Sequence, residues 1–287
     1  MASYPNPDIL AETDWLAAHA GDPNLRIIDC DEQPAYLRIH IEGAVGLRVH
    51  HYLKSPGDSA SGPGIGMHVM PAEEFAETMS RHGISNDSLV VAYDGMGGLY
   101  AARLWWALDY YGHSNCKVLN GGFRKWFEEG RAVSLDQPHV ERSRFEVRAV
   151  REGICASRDQ VQSAIGKDDA AIWDVRAPAE YTGDDQRKNK HGGHIPGAAN
   201  LEWLELTVQP PVRSGQLLPA EEIARKLAAI GVTPDKQVFT HCQAGIRAAQ
   251  AVFVLRLMGY PRAANYDGSW SEWGNRDDTP IVRGPAA

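Results

Sequence analysis

The sequence predicts an α/β protein made of two tandem copies of one domain, each a parallel sheet with helices on both faces. Three observations carry this. Segments recur in the same order along the chain. Within each copy, short apolar runs alternate with amphipathic stretches of about ten to fifteen residues, the pattern of βαβ units. The 287 residues, 43% of them hydrophobic, are enough for two cores.

The repeat runs through both halves. "LRIIDCDEQPAY" (residues 25–36) returns as "AAIWDVRAPAEY" (170–181), and "HIEGAV" (40–45) as "HIPGAA" (194–199). "MPAEEFAETMSRHGI" (70–84) is echoed by "LPAEEIARKLAAIGV" (218–232), "SLVVAYDGMGG" by "KQVFTHCQAGI", and "LNGGFRKW" (119–126) by "YDGSWSEW" (266–273). Asp94 and Cys242 are offset by 148 and Trp126 and Trp273 by 147, so the register drifts by one residue. The expected strands are "RIID", "LVVAY" and "KVL" in the first copy and "AIWDV", "QVFTH" and "AANY" in the second. After "QVFTH", Ala248, Val252, Leu255 and Gly259 fall on one helical stripe, and Gly259 with Pro261 supplies the stop. "RAVSLDQPHVERSRFEVRAVREG" is polar and has no sustained period. The expected organisation is a first domain over 1–130, a linker over 131–153 and a second domain over 154–287.

The formal net charge of -8 argues against a general nucleic-acid or membrane-surface binder, so any anion site must be local. "MASYPNPDIL" has neither a basic n-region nor an apolar h-region, and no uninterrupted apolar stretch is long enough to span a bilayer. A soluble, cytoplasmic protein is expected. The four cysteines form no CxxC pair and no cluster with zinc spacing, so neither a disulfide scaffold nor a metal site is expected. Cys30 and Cys116 read as small buried hydrophobes on strands, and Cys155 falls in a connecting segment.

Cys242 is different. It is the first residue past an apolar strand, where open α/β sheets bind ligands, and it leads through "QAGI" into a helix. Successive amides of such a loop make a nest, Gly245 permits its backbone shape, and the helix N-terminus adds positive potential. With Arg247 close by, these features should depress the thiol pKa from roughly 8.5 by a unit or more. A buried cysteine that merely ends a strand is the alternative. Against it, the first copy has Asp94 in the same place, which suggests one working site and one retired or supporting one.

The tandem layout, "DVRAPAEY", "HGGHIPGAAN", "CQAGIR" and "YDGSWSEWGNR" together resemble the two-domain rhodanese family of sulfurtransferases, over roughly residues 10–282. The resemblance implies two rhodanese-like domains, the first catalytically inactive and the second carrying the nucleophile. In that reading Cys242 takes a sulfane sulfur from a small anionic donor, thiosulfate or 3-mercaptopyruvate, and passes it as a persulfide to cyanide or a thiol, with no cofactor and no metal. Gln243, Ala244, Gly245, Ile246 and Arg247 form the persulfide loop. Arg187, seven residues before His194, and Arg176 are expected to bind the donor, with Trp203 walling the cleft. Tyr100 and His68 match family positions that reach across from the first domain, and Asp174 is expected to hold Arg176 or a loop amide. Glu180 stands where other members have arginine, which would remove one clamp on the donor. The "C-x-x-G-x-R" loop favours thiosulfate over 3-mercaptopyruvate. Two rivals remain: a cysteine-loop phosphatase, which has five rather than four residues between cysteine and arginine, and a non-enzymatic persulfide carrier.

Overall fold

A computed structural model of the chain describes residues 3–53, 69–208 and 215–285. His68 lies outside them. The strands are β1 (Leu10–Ala11), β2 (Leu25–Asp29), β3 (His40–Ile41), β4 (Val45–Gly46), β5 (Leu89–Tyr93), β6 (Cys116–Leu119), β7 (Val133–Ser134), β8 (Cys155–Ala156), β9 (Ala170–Asp174), β10 (Ala199–Asn200), β11 (Gln237–His241) and β12 (Ala263–Tyr266). Two five-stranded parallel sheets result, in the orders β4-β2-β5-β6-β1 and β10-β9-β11-β12-β8. Read from the same edge, the two orders match strand for strand. The central strands "LVVAY" and "QVFTH" are buried on both faces, as all-parallel sheets require.

The one-residue drift has a definite place. The central strands Leu89–Tyr93 and Gln237–His241 differ by 148 in number, while the helices that follow, Leu99–Tyr110 and Ile246–Leu257, differ by 147. The extra residue therefore lies in the first domain's strand-to-helix loop, residues 94–98, against 242–245 in the second.

Those two helices pack against each other across the domain boundary. The expected single stripe on Ile246–Leu257 proves too narrow, since ten of its twelve residues are buried. A helix covered by its own sheet on one side and a partner helix on the other is apolar nearly all round. Trp105 meets Phe253 edge-on with centroids 5.1 Å apart, and Trp106 Nε1 donates to the Ile154 carbonyl at 3.1 Å. One hydrophobic core runs through both halves at this contact.

Residues 131–153 do not hang free between the domains. β7 pairs antiparallel with β3, the Ser143 and Phe145 amides donate to the Ser80 carbonyl and Oγ at 3.0 Å each, and Phe145 is buried edge-on to Phe75. Arg142 binds Glu77 with both nitrogens, at 2.7 and 2.6 Å. The segment is a strap laid along the first domain. Cys155 likewise belongs to a strand, β8, rather than to a connection.

Candidate active site

β11 ends at His241, and the chain turns through Cys242, Gln243, Ala244 and Gly245 into the helix Ile246–Leu257. Gly245 has φ 76°, and a Cβ there would stand 2.0 Å from Asp267 Oδ1, so the turn admits only glycine. Tethers hold the loop from below. Ser269 Oγ accepts the amides of Cys242 and Gly245, both at 3.1 Å, and donates its own proton to the Tyr266 carbonyl at 2.8 Å. The Trp270 and Ser271 amides donate to the carbonyls of Cys242 and Gln243 at 2.9 Å, and Asn265 Nδ2 donates to that of Gly245 at 3.0 Å. The first-turn amides of Ile246, Arg247 and Ala248 have no acceptor within the helix and carry its positive end.

Cys242 lies at the floor of a cleft of about 300 Å³ whose walls include Arg187 and Arg247 from the second domain and His50, Leu99 and Tyr100 from the first. The cleft and its two arginines therefore lie at the seam between the two halves. The remaining thiols are buried inside the sheets and the domain contact, and burial pushes them up, that of Cys155 to about 12.

The first domain displays the same cradle with a carboxyl group already in it, one whose pKa burial raises against the lowering effect of the amides around it. Asp94, where the second domain has Cys242, accepts four backbone amides: Met96 and Gly98 on Oδ1, Tyr100 and Ala101 on Oδ2, at 2.7–2.8 Å. Arg247 and Ala248 occupy the places of Tyr100 and Ala101 once the loop lengths are matched. The two halves share this strand-to-helix turn, a shape that favours anions. In one half the group at the base of the turn is the Asp94 carboxyl; in the other it is the Cys242 sulfur.

Glu180 is not an open position facing the donor. Its carboxylate, 2% exposed, takes both terminal nitrogens of Arg247 at 2.7 and 2.9 Å and Arg187 Nε at 2.9 Å. Burial would raise its pKa, but the hydrogen bonds and charge of Arg247, with Arg187 and Arg176, hold it below the usual carboxylate range. Burial equally works against the Arg247 charge, and Glu180 and Cys242 outweigh it and raise the guanidinium above its ordinary value. Glu180 therefore orders the arginines rather than subtracting one.

Two residues expected to contact the donor are not among those that line this cleft. Arg176, 1% exposed, spends its guanidinium on Asp174 at 2.6–3.0 Å and on the Gly193 carbonyl at 2.7 Å, and lies 4.3 Å above the Trp270 ring. It lies against Trp270, whose amide ties the Cys242 carbonyl, and it does not line the cleft. Asp174 holds it as expected, and despite burial His241 and Arg176 keep that carboxyl below its usual range. Trp203, 7% exposed, packs into the shared core with its ring beside Gly97, 3.9 Å from where a side chain at that position would begin, and does not line the cleft. Arg187, its side chain half exposed, does reach the cleft. His50, Leu99 and the Asp267–Ser269 tether were not read from the sequence.

Comparison with known proteins agrees with this architecture. The family model of the rhodanese-like domain matches residues 12–129 and 157–276. The chain belongs to the rhodanese family. A sulfur carrier protein, TtuD, of Thermus thermophilus is 37% identical over 98% of the chain and 99% of the relative. Thiosulfate sulfurtransferases of Azotobacter vinelandii and Pseudomonas aeruginosa are each 34% identical over the same shares. The anaerobic ergothioneine biosynthesis enzyme of Chlorobium limicola, solved with trimethyl histidine, superposes with a TM-score of 0.86 at 25% identity, covering all of this chain and 72% of that one. Among the described residues of this rhodanese no helix is long and apolar enough to cross a membrane, and no three His, Cys, Asp or Glu side chains converge to hold a metal.

Ser269 sits at φ 51°, where the repeat places Gly122 at φ 53° in the first domain. A buried serine in a conformation that suits glycine costs about 1–3 kcal/mol. Its hydroxyl tethers two loop amides, so Ser269→Gly trades relieved strain against the loss of the one oxygen that accepts both. We expect a melting temperature within about 5 °C of wild type but sulfur transfer about 10–100-fold slower, measured as thiocyanate formation.

The first domain also sets a pH dependence. Burial, reinforced for Asp31 by Asp94 and Asp29, raises Asp29 to about 6 and Asp31 to about 7. Between the unfolded value of about 4 and these raised values, the folded protein binds more protons than the unfolded chain, so stability falls as pH rises through that window. Asp174 and Glu180 act oppositely, their contribution being present above the unfolded values and lost as pH falls below about 4. Burial holds His82, His113, His194 and His241 below their usual range, His241 at about 4, and these oppose the aspartates as pH falls through about 6.5. The part due to Asp31 is read by difference, Asp31→Asn gaining less urea midpoint, or losing more, than wild type between about pH 8 and pH 5.

Proposed function

We propose that the protein transfers sulfane sulfur from thiosulfate to cyanide or a thiol through a persulfide on Cys242. The observation that carries this is Cys242 itself, held at the base of an amide nest whose twin in the first domain binds a carboxylate with four amides. The thiolate attacks the outer sulfur of thiosulfate, the S–S bond breaks, and sulfite leaves with the electron pair. The chain then holds Cys242–S–S⁻. Cyanide attacks the terminal sulfur, thiocyanate leaves, and the thiolate is restored, a ping-pong cycle in which nothing is net oxidised at the protein. Loop amides and the helix N-terminus stabilise the terminal sulfur's charge, and Arg187 draws the donor dianion into an otherwise acidic protein. The first domain is catalytically inactive and contributes Leu99, Tyr100 and His50 to the cleft wall.

Thiosulfate is preferred over 3-mercaptopyruvate in this reading, supported by the two thiosulfate sulfurtransferases at 34% identity. A phosphatase role fits less well: the Arg247 fork is bonded to Glu180 and not free to grip a phosphoryl dianion. The similarity to a sulfur carrier protein supports a second reading, in which Cys242 is loaded and discharged by other proteins. One experiment separates these. After exposure to thiosulfate, intact and peptide mass spectrometry should find about 32 Da more, one sulfur, on Cys242, and steady-state thiocyanate formation should be fast with thiosulfate and slower with 3-mercaptopyruvate. Sulfur on another residue refutes the proposal. Negligible turnover beside rapid hand-off to a protein acceptor selects the carrier reading.

A further inference from the structure

We propose that Arg103, a residue of the catalytically silent first domain, is a positioning residue for the persulfide loop of the second, acting through Asp267. Arg103 lies one turn into the helix Leu99–Tyr110, whose first two residues wall the cleft. Its guanidinium crosses the domain boundary and grips Asp267 with both terminal nitrogens, Nη1 to Oδ1 at 2.5 Å and Nη2 to Oδ2 at 3.1 Å, and both side chains are 0% exposed. Nη2 also donates to the Leu53 carbonyl at 3.3 Å, and the guanidinium carbon lies 4.6 Å from the Trp106 ring centre. The arginine is clamped within its own domain before it reaches the other.

Asp267 is the post on which the loop rests. Its Oδ1 fills the space a Gly245 side chain would need, and it accepts Asn265 Nδ2 at 3.2 Å while the same nitrogen donates to the Gly245 carbonyl at 3.0 Å. Two residues on, Ser269 ties the amides of Cys242 and Gly245. A shift of Asp267 therefore moves the floor under Gly245 and the tether under Cys242 together. Buried ion pairs are weak stabilisers compared with apolar packing of equal volume, whereas a bidentate fork fixes position sharply. The value of this pair lies in placing the loop, and it makes the second domain's site incomplete without the first.

The inference rests on Cys242 being the sulfur-bearing nucleophile, and the test keeps the two apart. Four full-length proteins are compared: wild type, Arg103→Met, Asp267→Asn and the double variant, with Arg103→Lys as a conservative fifth. The readouts are the rate of sulfur uptake at saturating thiosulfate, the half-saturating thiosulfate concentration and the melting temperature. Arg103→Met should melt lower, because it strands the Asp267 charge, and should load sulfur about 10–100-fold more slowly. Half-saturation should stay within about 3-fold, because Arg187 is untouched. The double variant, with no stranded charge, should recover most of the melting temperature while its rate stays low, and Arg103→Lys should fall between. If single variants fail to fold, the double variant and Arg103→Lys carry the test. A double variant that loads at the wild-type rate overturns the inference, as does a loss seen only in half-saturation. A wild type that takes up no sulfur on Cys242 overturns the underlying reading instead.

Discussion

Cys242→Ala forms no thiocyanate above the buffer rate and gains no mass from thiosulfate, while it melts within about 5 °C of wild type. The loop does not need the sulfur to keep its shape. Its ties run from the Cys242 amide to Ser269 Oγ and from the Trp270 amide to the Cys242 carbonyl, and both survive truncation of the side chain. Cys242 is 1% exposed, so alanine forfeits the packing of one sulfur, about 1 kcal/mol. The activity loss should exceed about 10³-fold, because the covalent intermediate needs a reactive thiol and the other three cysteines are shut inside the fold. Residual turnover of a tenth of wild type would mean that sulfur travels by another route.

Glu180→Arg should be the most damaging charge change in the cleft. From the sequence alone it looks like the restoration of a missing donor clamp, with a shift in donor preference as its result. The structure gives the opposite expectation. Glu180 is buried and neutralises Arg247 and Arg187 together, so the substitution removes the shared anion and adds a third guanidinium beside two. Removing one partner of a buried pair costs about 3–5 kcal/mol before repulsion is added. A melting temperature lower by about 10 °C or more is expected, with sulfur transfer largely lost to both donors. Glu180→Gln, which keeps the shape and part of the hydrogen bonding, should lose less of both. A Glu180→Arg protein that melts like wild type would show that the arginines do not depend on that carboxylate.

What could be read from the sequence divides along physical lines. The repeat and the alternation of apolar runs gave the two sheets, because parallel strands buried on both faces leave a strong local signature. Cys242 was legible because a strand end followed by a glycine-bearing turn is itself a local pattern. Glu180 was misread because its partner Arg247 stands 67 residues away and only the fold joins them. Arg176 looked like a donor clamp for the same reason: nothing local says that Trp270 will cover it. Ser269 was hidden because a serine at a left-handed position is an exception that residue preference argues against. It was nonetheless aligned with Gly122 in the repeat, and the mismatch was the available signal. The strap over 131–153 went unseen as structure because its attachments are backbone bonds to Ser80 and pairings with Asn86 and Glu77, which leave no hydrophobic period.

The nest in the first domain has a consequence for stoichiometry. Asp94 satisfies its four amides with a ligand that can never dissociate, so an incoming dianion finds that seat taken at every concentration. The polypeptide, despite its internal symmetry, should saturate at one transferable sulfur atom per chain, with a single class of labelled site and no cooperativity between halves. Duplication here has doubled the scaffold, and a count of one sulfur per chain would show that it left the chemistry single.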